Sequence, residues 1–482
     1  MESIWSQGAV PAVAGPVEHD LHTQVLVIGA GMAGILTAYE LKQRGIPAVV
    51  VDAGMPGAGQ TGRTTAKITA QHGAVYGQLA ASLGAARAAQ YAAVNQESIE
   101  RYSQIIAQEQ IDCEFVRCPA YLYTLADGEF LQREAQAQQA AGLPACFTTQ
   151  TELPFPVAGA VKVEHQARFH PLRFLQALCP SLEIHPHSPV VRVEDGRAVL
   201  ENECVVTAEQ IVFACHYPFV NVPGFYFARM HQERSYVLAL KNAVCPQGMY
   251  LGVDEDAGWS LRTAGQLLLL GGAGHRTGEN QQGGRYEQLR QKAREWWPHS
   301  QEAACWSAQD CMTLDGVPYI GRFAPSQPEW YVATGFGKWG MTSSMAAACL
   351  LARLISGETP AEAELFSPSR FAPSASAENF LHDAAHAVRD VSRQVFGAAR
   401  AAAQDLPCGH GGVVEAGGEK VGAYHAPDGQ FYFVSTRCPH LGCQLEWNPD
   451  EKSWDCPCHG SRFDFRGRRL DGPAQQDLRP AP

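Results

Sequence analysis

The sequence predicts an α/β nucleotide-binding body joined to a small all-β module at its C-terminus. Two patterns carry that reading. Near the start, an apolar strand runs into a glycine-rich turn, a helix and a second strand. Near the end, short strands between glycine turns surround two loops dense in Cys and His. Between the two parts, Phe366-Ser-Pro-Ser-Arg-Phe-Ala-Pro-Ser374 is a break rich in Pro and Ser.

Val25-Leu-Val-Ile28 is a buried-strand pattern, and Gly29-Ala-Gly31-Met-Ala-Gly34 follows it. Ile35 to Arg44 reads as helix, ended by Gly45. Ala48-Val-Val-Val51 is the second strand, closed by Asp52. In this context Gly29 makes the tight turn, Gly31 lets backbone approach a pyrophosphate, and Gly34 lets helix and strand pack. Asp52 lies 23 residues after Gly29, where a carboxylate can bond a ribose hydroxyl.

The loop Gly57-Ala-Gly-Gln-Thr-Gly62-Arg63-Thr64-Thr65-Ala66-Lys67 supplies a second grip on diphosphate and flavin. Trp330 to Thr334 then reads as a strand, and Gly335-Phe-Gly337-Lys338-Trp-Gly340-Met341 as a glycine loop. An apolar helix from Ser343 to Ser356 follows, ending at Gly357. A helix N-terminus there suits the anionic edge of a reduced flavin. There is no second glycine fingerprint for a nicotinamide cofactor, because Gly271-Gly-Ala-Gly-His275 has the wrong spacing. The expected electron source is therefore an organic substrate.

The C-terminal loops read Cys438-Pro-His440-Leu-Gly-Cys443 and Cys456-Pro-Cys458-His459-Gly-Ser461. Two thiolates and two imidazoles are what a Rieske-type [2Fe-2S] cluster needs. Structural zinc is the competing reading. Against it, each loop pairs one Cys with one His, as two different irons require. Two further Cys share the same loops, and Ser461 stands where a hydroxyl can donate to a bridging sulfide. A mononuclear-iron oxygenase is disfavoured, since 23 residues follow His459.

Two family resemblances follow from these residues. About the last eighty residues, including Gly472-Pro473-Ala474, resemble the Rieske proteins of quinol-oxidising complexes. That resemblance implies Cys438, His440, Cys456 and His459 as cluster ligands and Cys443–Cys458 as a disulfide. The chain departs from it at Phe463, where those proteins carry a Tyr whose hydroxyl bonds a ligand sulfur. The expected potential therefore lies above plant-type ferredoxins and below the respiratory proteins.

Residues from about 20 to 365 resemble the D-amino-acid-oxidase-like family of FAD-dependent oxidoreductases, which includes glycine and sarcosine oxidases. Phe169-His170-Pro171 and the strand Gln266 to Gly272 share in the resemblance. It implies that Gly29, Gly31, Gly34, Asp52, Arg63, Thr64, Thr65, Val190, Gly335, Gly340 and Met341 line FAD. It also implies an antiparallel-sheet substrate domain roofing the flavin. The expected architecture is then an α/β FAD-binding Rossmann-type domain with that substrate domain, plus a C-terminal all-β Rieske sandwich. Its boundaries are 20–365 for the oxidoreductase, with FAD-binding parts at about 20–75, 160–222 and 306–365. The substrate domain takes about 76–159 and 223–305, a linker 366–404, and the Rieske unit 405–482. Within the linker, Leu381, Ala384, Val388, Val391 and Val395 mark one face of an amphipathic helix over Ala377 to Arg400.

Candidate substrate-site residues are Arg262, Lys67, Lys338 and Tyr236, with His72 and His275 beside them. Arg262 would clamp a substrate carboxylate as an Arg does in some relatives. The alternative is an exposed or core-paired Arg. Lys67, His72 and Lys338 are each a base or oxygen activator, or a phosphate or backbone contact. His216 is read as structural, and covalent flavin attachment at Cys311 is not expected.

Composition bounds the rest. The chain has 482 residues, 46% of them hydrophobic, and a net charge of −12. That charge argues against nucleic acid and anionic membrane as partners. No apolar run is long enough to span a bilayer, and no signal peptide is legible, so a cytoplasmic protein is expected. The Cys outside the cluster loops are scattered, as buried small hydrophobes are. The expected activity is oxidation of an amine or amino-acid-like substrate at FAD, with electrons passed through the cluster to an external acceptor. The alternatives are flow from a donor protein through the cluster into the flavin, or a cluster with a sensing or structural role.

Overall fold

The computed structural model describes residues 2–6, 12–255, 258–370, 403–416 and 419–481. The linker helix expected over Ala377 to Arg400 lies outside the described residues.

The N-terminal strand runs from Leu21 to Ile28, four residues longer than its apolar pattern. Its first half alternates between partly and fully exposed residues, so the added length carries no apolar signal. The helix Met32–Gln43 follows, then the strand Ala48–Val51. These belong to an eight-stranded sheet. Leu21–Ile28 lies parallel between Val205–Phe213 and Ala48–Val51. Gln327–Thr334 pairs parallel with Val205–Phe213, and Glu183–His185 with Ala48–Val51. The central strands are buried on both faces, which explains their unbroken Val and Ile runs. The helix Gly340–Ile355, almost wholly buried, packs beside Met32–Gln43 in the main core.

A nine-stranded sheet forms the second layer. Its edge strand Gln301–Thr313 pairs antiparallel with Met230–Lys241, which pairs with Leu267–Arg276. The strand Gly159–Arg168 was expected in the nucleotide-binding part. Instead it pairs with Val116–Thr124 in this sheet, and Lys67–Ile68 pairs with it in turn. Alternating burial along Val116–Thr124 and a largely buried Gly159–Arg168 fit a sheet with one covered face.

The C-terminal module is all-β, with a three-stranded sheet Gly411–Ala416, Glu419–His425, Phe431–Ser435. A four-stranded sheet runs Glu446–Asn448, Ser453–Asp455, Arg462–Asp464, Arg469–Asp471. Trp447, Trp454, Phe463 and Leu445 fill its core. No helix among the described residues is long and apolar enough to cross a membrane.

Candidate functional site

A cavity of about 370 Å³ opens where the parallel sheet meets the antiparallel one. Gly29, Gly31, Asp52, Gly57, Thr61, Thr64, Val190, Gly340 and Met341 line it. The turn that starts it is built for close approach. Gly29 has φ +115°, and a Cβ there would fall 2.5 Å from the Ala214 carbonyl oxygen. A Cβ on Gly34 would fall 1.8 Å from the Gly29 carbonyl oxygen, so this residue packs helix on turn and does not line the cavity.

Asp52 is held in place before any ligand arrives. Its Oδ2 accepts from the Ala30 amide at 2.6 Å and its Oδ1 from the Gly54 amide at 2.7 Å. Burial nevertheless pushes this carboxyl above its ordinary range. The helices at Met32 and Gly340 both begin at the cavity without a side-chain cap. The Met32 amide donates to Thr61 Oγ1 at 2.9 Å, and the positive dipole ends of both helices suit an anion. A dinucleotide with a flavin therefore fits the residues present.

The remaining predicted positions divide. Lys338 lines the cavity, and its Nζ lies 2.7 Å from Glu233 Oε2. His216 and Cys311 also line it, with Cys311 Sγ 3.4 Å from the His216 carbonyl oxygen. Arg63, Thr65 and Gly335 are not among the lining residues. Arg63 donates field to Asp471 of the C-terminal module instead, and its carbonyl accepts from Trp306 Nε1 at 2.8 Å. Gly335, at φ +73°, lies against Thr313, whose Cγ2 would meet a Cβ at 2.3 Å.

Three of the four proposed catalytic side chains are directed elsewhere. Arg262 is buried and donates to the carbonyls of Ala66 at 2.8 Å and Phe169 at 3.3 Å, with Trp5 5.3 Å beneath its guanidinium. It ties the loop after Gly62 to the sheet, which is the core role weighed against a carboxylate clamp. Lys67 donates to the Tyr250 carbonyl and Ser260 Oγ, both at 2.7 Å. Burial, with Arg262 nearby, pushes it down to about 7. The Tyr236 hydroxyl lies 3.0 Å from His275 Nε2 and accepts from Asn280 at 3.3 Å. His72 is buried, stacked on Trp339 at 5.0 Å and bonded to the Tyr91 hydroxyl at 2.7 Å.

The second site lies in the C-terminal module. Cys438 and Cys456 are buried side by side, and the hydrogen bond from Cys456 pulls Cys438 down to about 7. Backbone amides of His440 and Leu441 and the Ser461 hydroxyl also favour the Cys438 thiolate. The His440 and His459 rings stand 4.9 Å apart. Each has a buried Nδ1 with no hydrogen-bond partner. His440 Nε2 lies 2.7 Å from Asn221 Oδ1, which leaves Nδ1 unprotonated and open to a metal. Burial holds both imidazoles neutral, at about 4 and about 3. Two orphaned imidazole nitrogens beside two thiols fit a [2Fe-2S] cluster with two His on one iron. Cys443 and Cys458 form a disulfide flanking the site. Phe463 is fully buried and offers no hydroxyl.

The two sites meet. The segment Arg469 to Gln475 of the C-terminal module lines the same cavity as the glycine turn. Within it, the Ala474 amide donates to Ser461 Oγ at 2.9 Å, and Asp471 Oδ1 accepts from Gln60 at 2.9 Å. Gln232 donates to the His459 carbonyl at 2.5 Å, and Gln309 to the Gly460 carbonyl at 2.8 Å. Phe227 lies edge-on to the His459 ring at 5.9 Å. Sequence reasoning did not identify Asn221, Gln232, Gln309 or Asp310. They sit in strands and loops with no motif, and the groups that Asn221, Gln232 and Gln309 meet in the C-terminal module lie more than 150 residues along the chain.

Residues 24–354 match the family described as FAD dependent oxidoreductase. The chain belongs to that family. Residues 398–482 match the Rieske [2Fe-2S] domain. The whole arrangement recurs in the Rieske 2Fe-2S iron-sulfur protein YhfW of Bacillus subtilis, 33% identical over 99% of this chain and 97% of the relative. The cytochrome b6-f complex iron-sulfur subunit 2 of Trichormus variabilis is 46% identical over 46 residues, covering 10% of this chain and 26% of that one. Among solved structures, glycine oxidase from Geobacillus kaustophilus shares the fold with a TM-score of 0.61. It is 18% identical and covers 73% of this chain and 99% of its own. L-Amino acid deaminase from Proteus myxofaciens gives a TM-score of 0.62 at 16% identity, over 77% and 98% of the two chains. This family member is thus an FAD-dependent oxidoreductase carrying a Rieske [2Fe-2S] domain.

Proposed function

We propose that this oxidoreductase removes electrons from an amine or amino-acid-like substrate and passes them through its own Rieske module to an external acceptor. The observation that carries the reading is the shared segment Arg469 to Gln475. It lines the flavin cavity on one side and bonds the cluster loop, through Ala474 and Ser461, on the other. FAD supplies a two-electron acceptor, and the cluster a one-electron carrier. The names of fold neighbours, glycine oxidase and L-proline dehydrogenase among them, favour a C–H bond next to nitrogen as the donor.

The residues present position and screen; they do not form an acid–base relay. The N-termini of the helices that begin at Met32 and Gly340 would face anionic groups, and Asp52 would orient a ribose. Gly472 to Ala474, with Ala308, Asp310 and Cys311, form part of the cavity wall. A neutral amine needs position and field more than proton transfer to lose hydride.

Anaerobic addition of a panel of amines and amino acids tests this. A substrate is expected to bleach the flavin band first and the cluster band next. In Cys456→Ser, flavin bleaching is expected to persist while reduction of the external acceptor is lost. Undiminished turnover with that acceptor would refute the relay. Bleaching of the cluster before the flavin would instead support inward flow from a donor protein.

A further inference from the structure

We propose that the flavin cavity selects its substrate by a cationic amine held on Asp310, and that it has no grip for a substrate carboxylate. This rests on the amine-oxidising reading above and narrows its substrate class.

Asp310 lines the cavity on the strand Gln301–Thr313. None of the described residues hydrogen-bonds its carboxylate. Directly across the strand pair stands Glu233, its register partner. The cation nearest to both is Lys338, and Glu233 has already engaged it at 2.7 Å. His231 Nε2 also approaches Glu233, at 3.4 Å. Asp310 and Glu233 thus share Lys338, and Arg234, itself bonded to Glu451, is the next cation to act on Asp310. Burial pushes Asp310 up to about 6, against the pull of Lys338. An unpaired carboxylate in such a wall is relieved either by a proton or by a bound cation.

The cations that could grip a carboxylate are engaged elsewhere. A bidentate arginine fork is the usual device for that purpose. Arg262 is bonded to two backbone carbonyls, and Arg168 to the Thr263 carbonyl at 3.2 Å. Arg234 is bonded to Gln309, Ser307 and Glu451. Arg469 reaches the cavity from the C-terminal module, but it is exposed and bonds the Ala474 carbonyl at 3.3 Å. An α-amino acid would bring its carboxylate against Asp310 with no fork to receive it. A simple amine would bring an ammonium to a carboxylate that lacks a partner and pass it the proton before hydride leaves; a diamine would keep one ammonium there and present its other nitrogen neutral.

The test uses the full-length protein with both cofactors, under anaerobic conditions. The probes are 1,4-diaminobutane and n-butylamine against glycine and L-proline, with tetramethylammonium as an unreactive cation. The amines are expected to bleach the flavin, and tetramethylammonium to shift the spectrum of the oxidised flavin. Asp310→Asn is expected to raise the half-saturating amine concentration about tenfold or more, with a smaller change in the limiting rate. It should also abolish the tetramethylammonium shift, while Asp310→Glu restores part of both and FAD content stays constant. Bleaching by glycine or L-proline but not by the amines would overturn the inference and leave amine oxidation standing. An unchanged half-saturating concentration in Asp310→Asn would also overturn it. Failure of every amine and amino acid to bleach the flavin would overturn both readings together.

Discussion

Arg234→Met should loosen the cluster module from the flavoprotein without removing a ligand of either cofactor. Arg234 is fully buried, and its Nη2 lies 2.5 Å from Glu451 Oε2 of the C-terminal module. Its Nη1 donates to Gln309 at 3.1 Å, and Gln309 in turn holds the Gly460 carbonyl. Breaking a buried ion pair by removing one partner costs about 3–5 kcal/mol. Glu451 keeps Arg462 at 2.8 Å, so its charge is not left bare. That places the loss near about 3 kcal/mol, on the order of 100-fold in the ratio of docked to undocked module. Flash reduction of the flavin, followed at the flavin and cluster bands, reads the consequence. Transfer from flavin to cluster is expected to slow in Arg234→Met, with both absorption spectra intact. Arg234→Lys should recover part of the rate, because it keeps the charge but loses the fork. A transfer rate and melting temperature equal to wild type would refute the argument.

Three further outcomes follow from the same structure. Gly34→Ala drives a Cβ into the Gly29 carbonyl at 1.8 Å, and backbone on backbone cannot yield cheaply. We expect about 3 kcal/mol or more of lost stability and a protein that emerges from desalting without FAD, measured by flavin absorbance per chain. Phe463→Tyr places a hydroxyl in the buried core beside the cluster loops and should raise the cluster midpoint potential. One net hydrogen bond of about 1.4 kcal/mol corresponds to about 60 mV for a one-electron couple, read by redox titration. Burial alone would raise Asp471, but Arg462, Arg63 and Arg234 hold it down at about 2. A depressed carboxyl contributes stability that is present above its unfolded value of 3.8 and is lost as pH falls toward 2. Thermal melts from pH 5 to pH 2.5 should lose about 2 kcal/mol through this group, and Asp471→Asn should flatten that slope.

The cofactors were legible because their chemistry forces local spacing. Gly29, Gly31, Gly34 and Asp52 sit within one strand–turn–helix–strand unit, and the four cluster ligands within two short loops. The substrate site was not, because its groups come together only through sheet register. Arg262 reads as a clamp by position along the chain, yet the pairing of Ser260–Ala264 with Leu267–Arg276 places it under Ala66 and Phe169. Asp310 carries no motif. Its meaning appears only when antiparallel pairing sets it opposite Glu233 and beside Lys338. The strand Gly159–Arg168 was misassigned for a similar reason, since its sheet is set by pairing with Val116–Thr124 and Lys67–Ile68, which lie well before it in the chain.

The docking surface between the two halves is polar, and that choice has a geometric reason. An apolar patch would hold the module to the body while leaving its rotation weakly specified. Gln232, Gln309 and Arg234 instead meet the His459 carbonyl, the Gly460 carbonyl and Glu451, each through a directional bond. Asn280 adds Asp450 at 2.9 Å and Asn448 at 3.0 Å. Buried polar groups bonded across the interface in one orientation are left unpaired in others, at about 1–3 kcal/mol each. Such a surface fixes which edge of the cluster faces the flavoprotein. The fixed edge is the one bearing His459, with Phe227 against its ring and Asn221 on His440. In the same orientation, Asp471 to Ala474 lies between the flavin cavity and the ligand loop. On the proposed relay, the polar interface would set the path between the two cofactors, and a looser apolar contact of equal area would not.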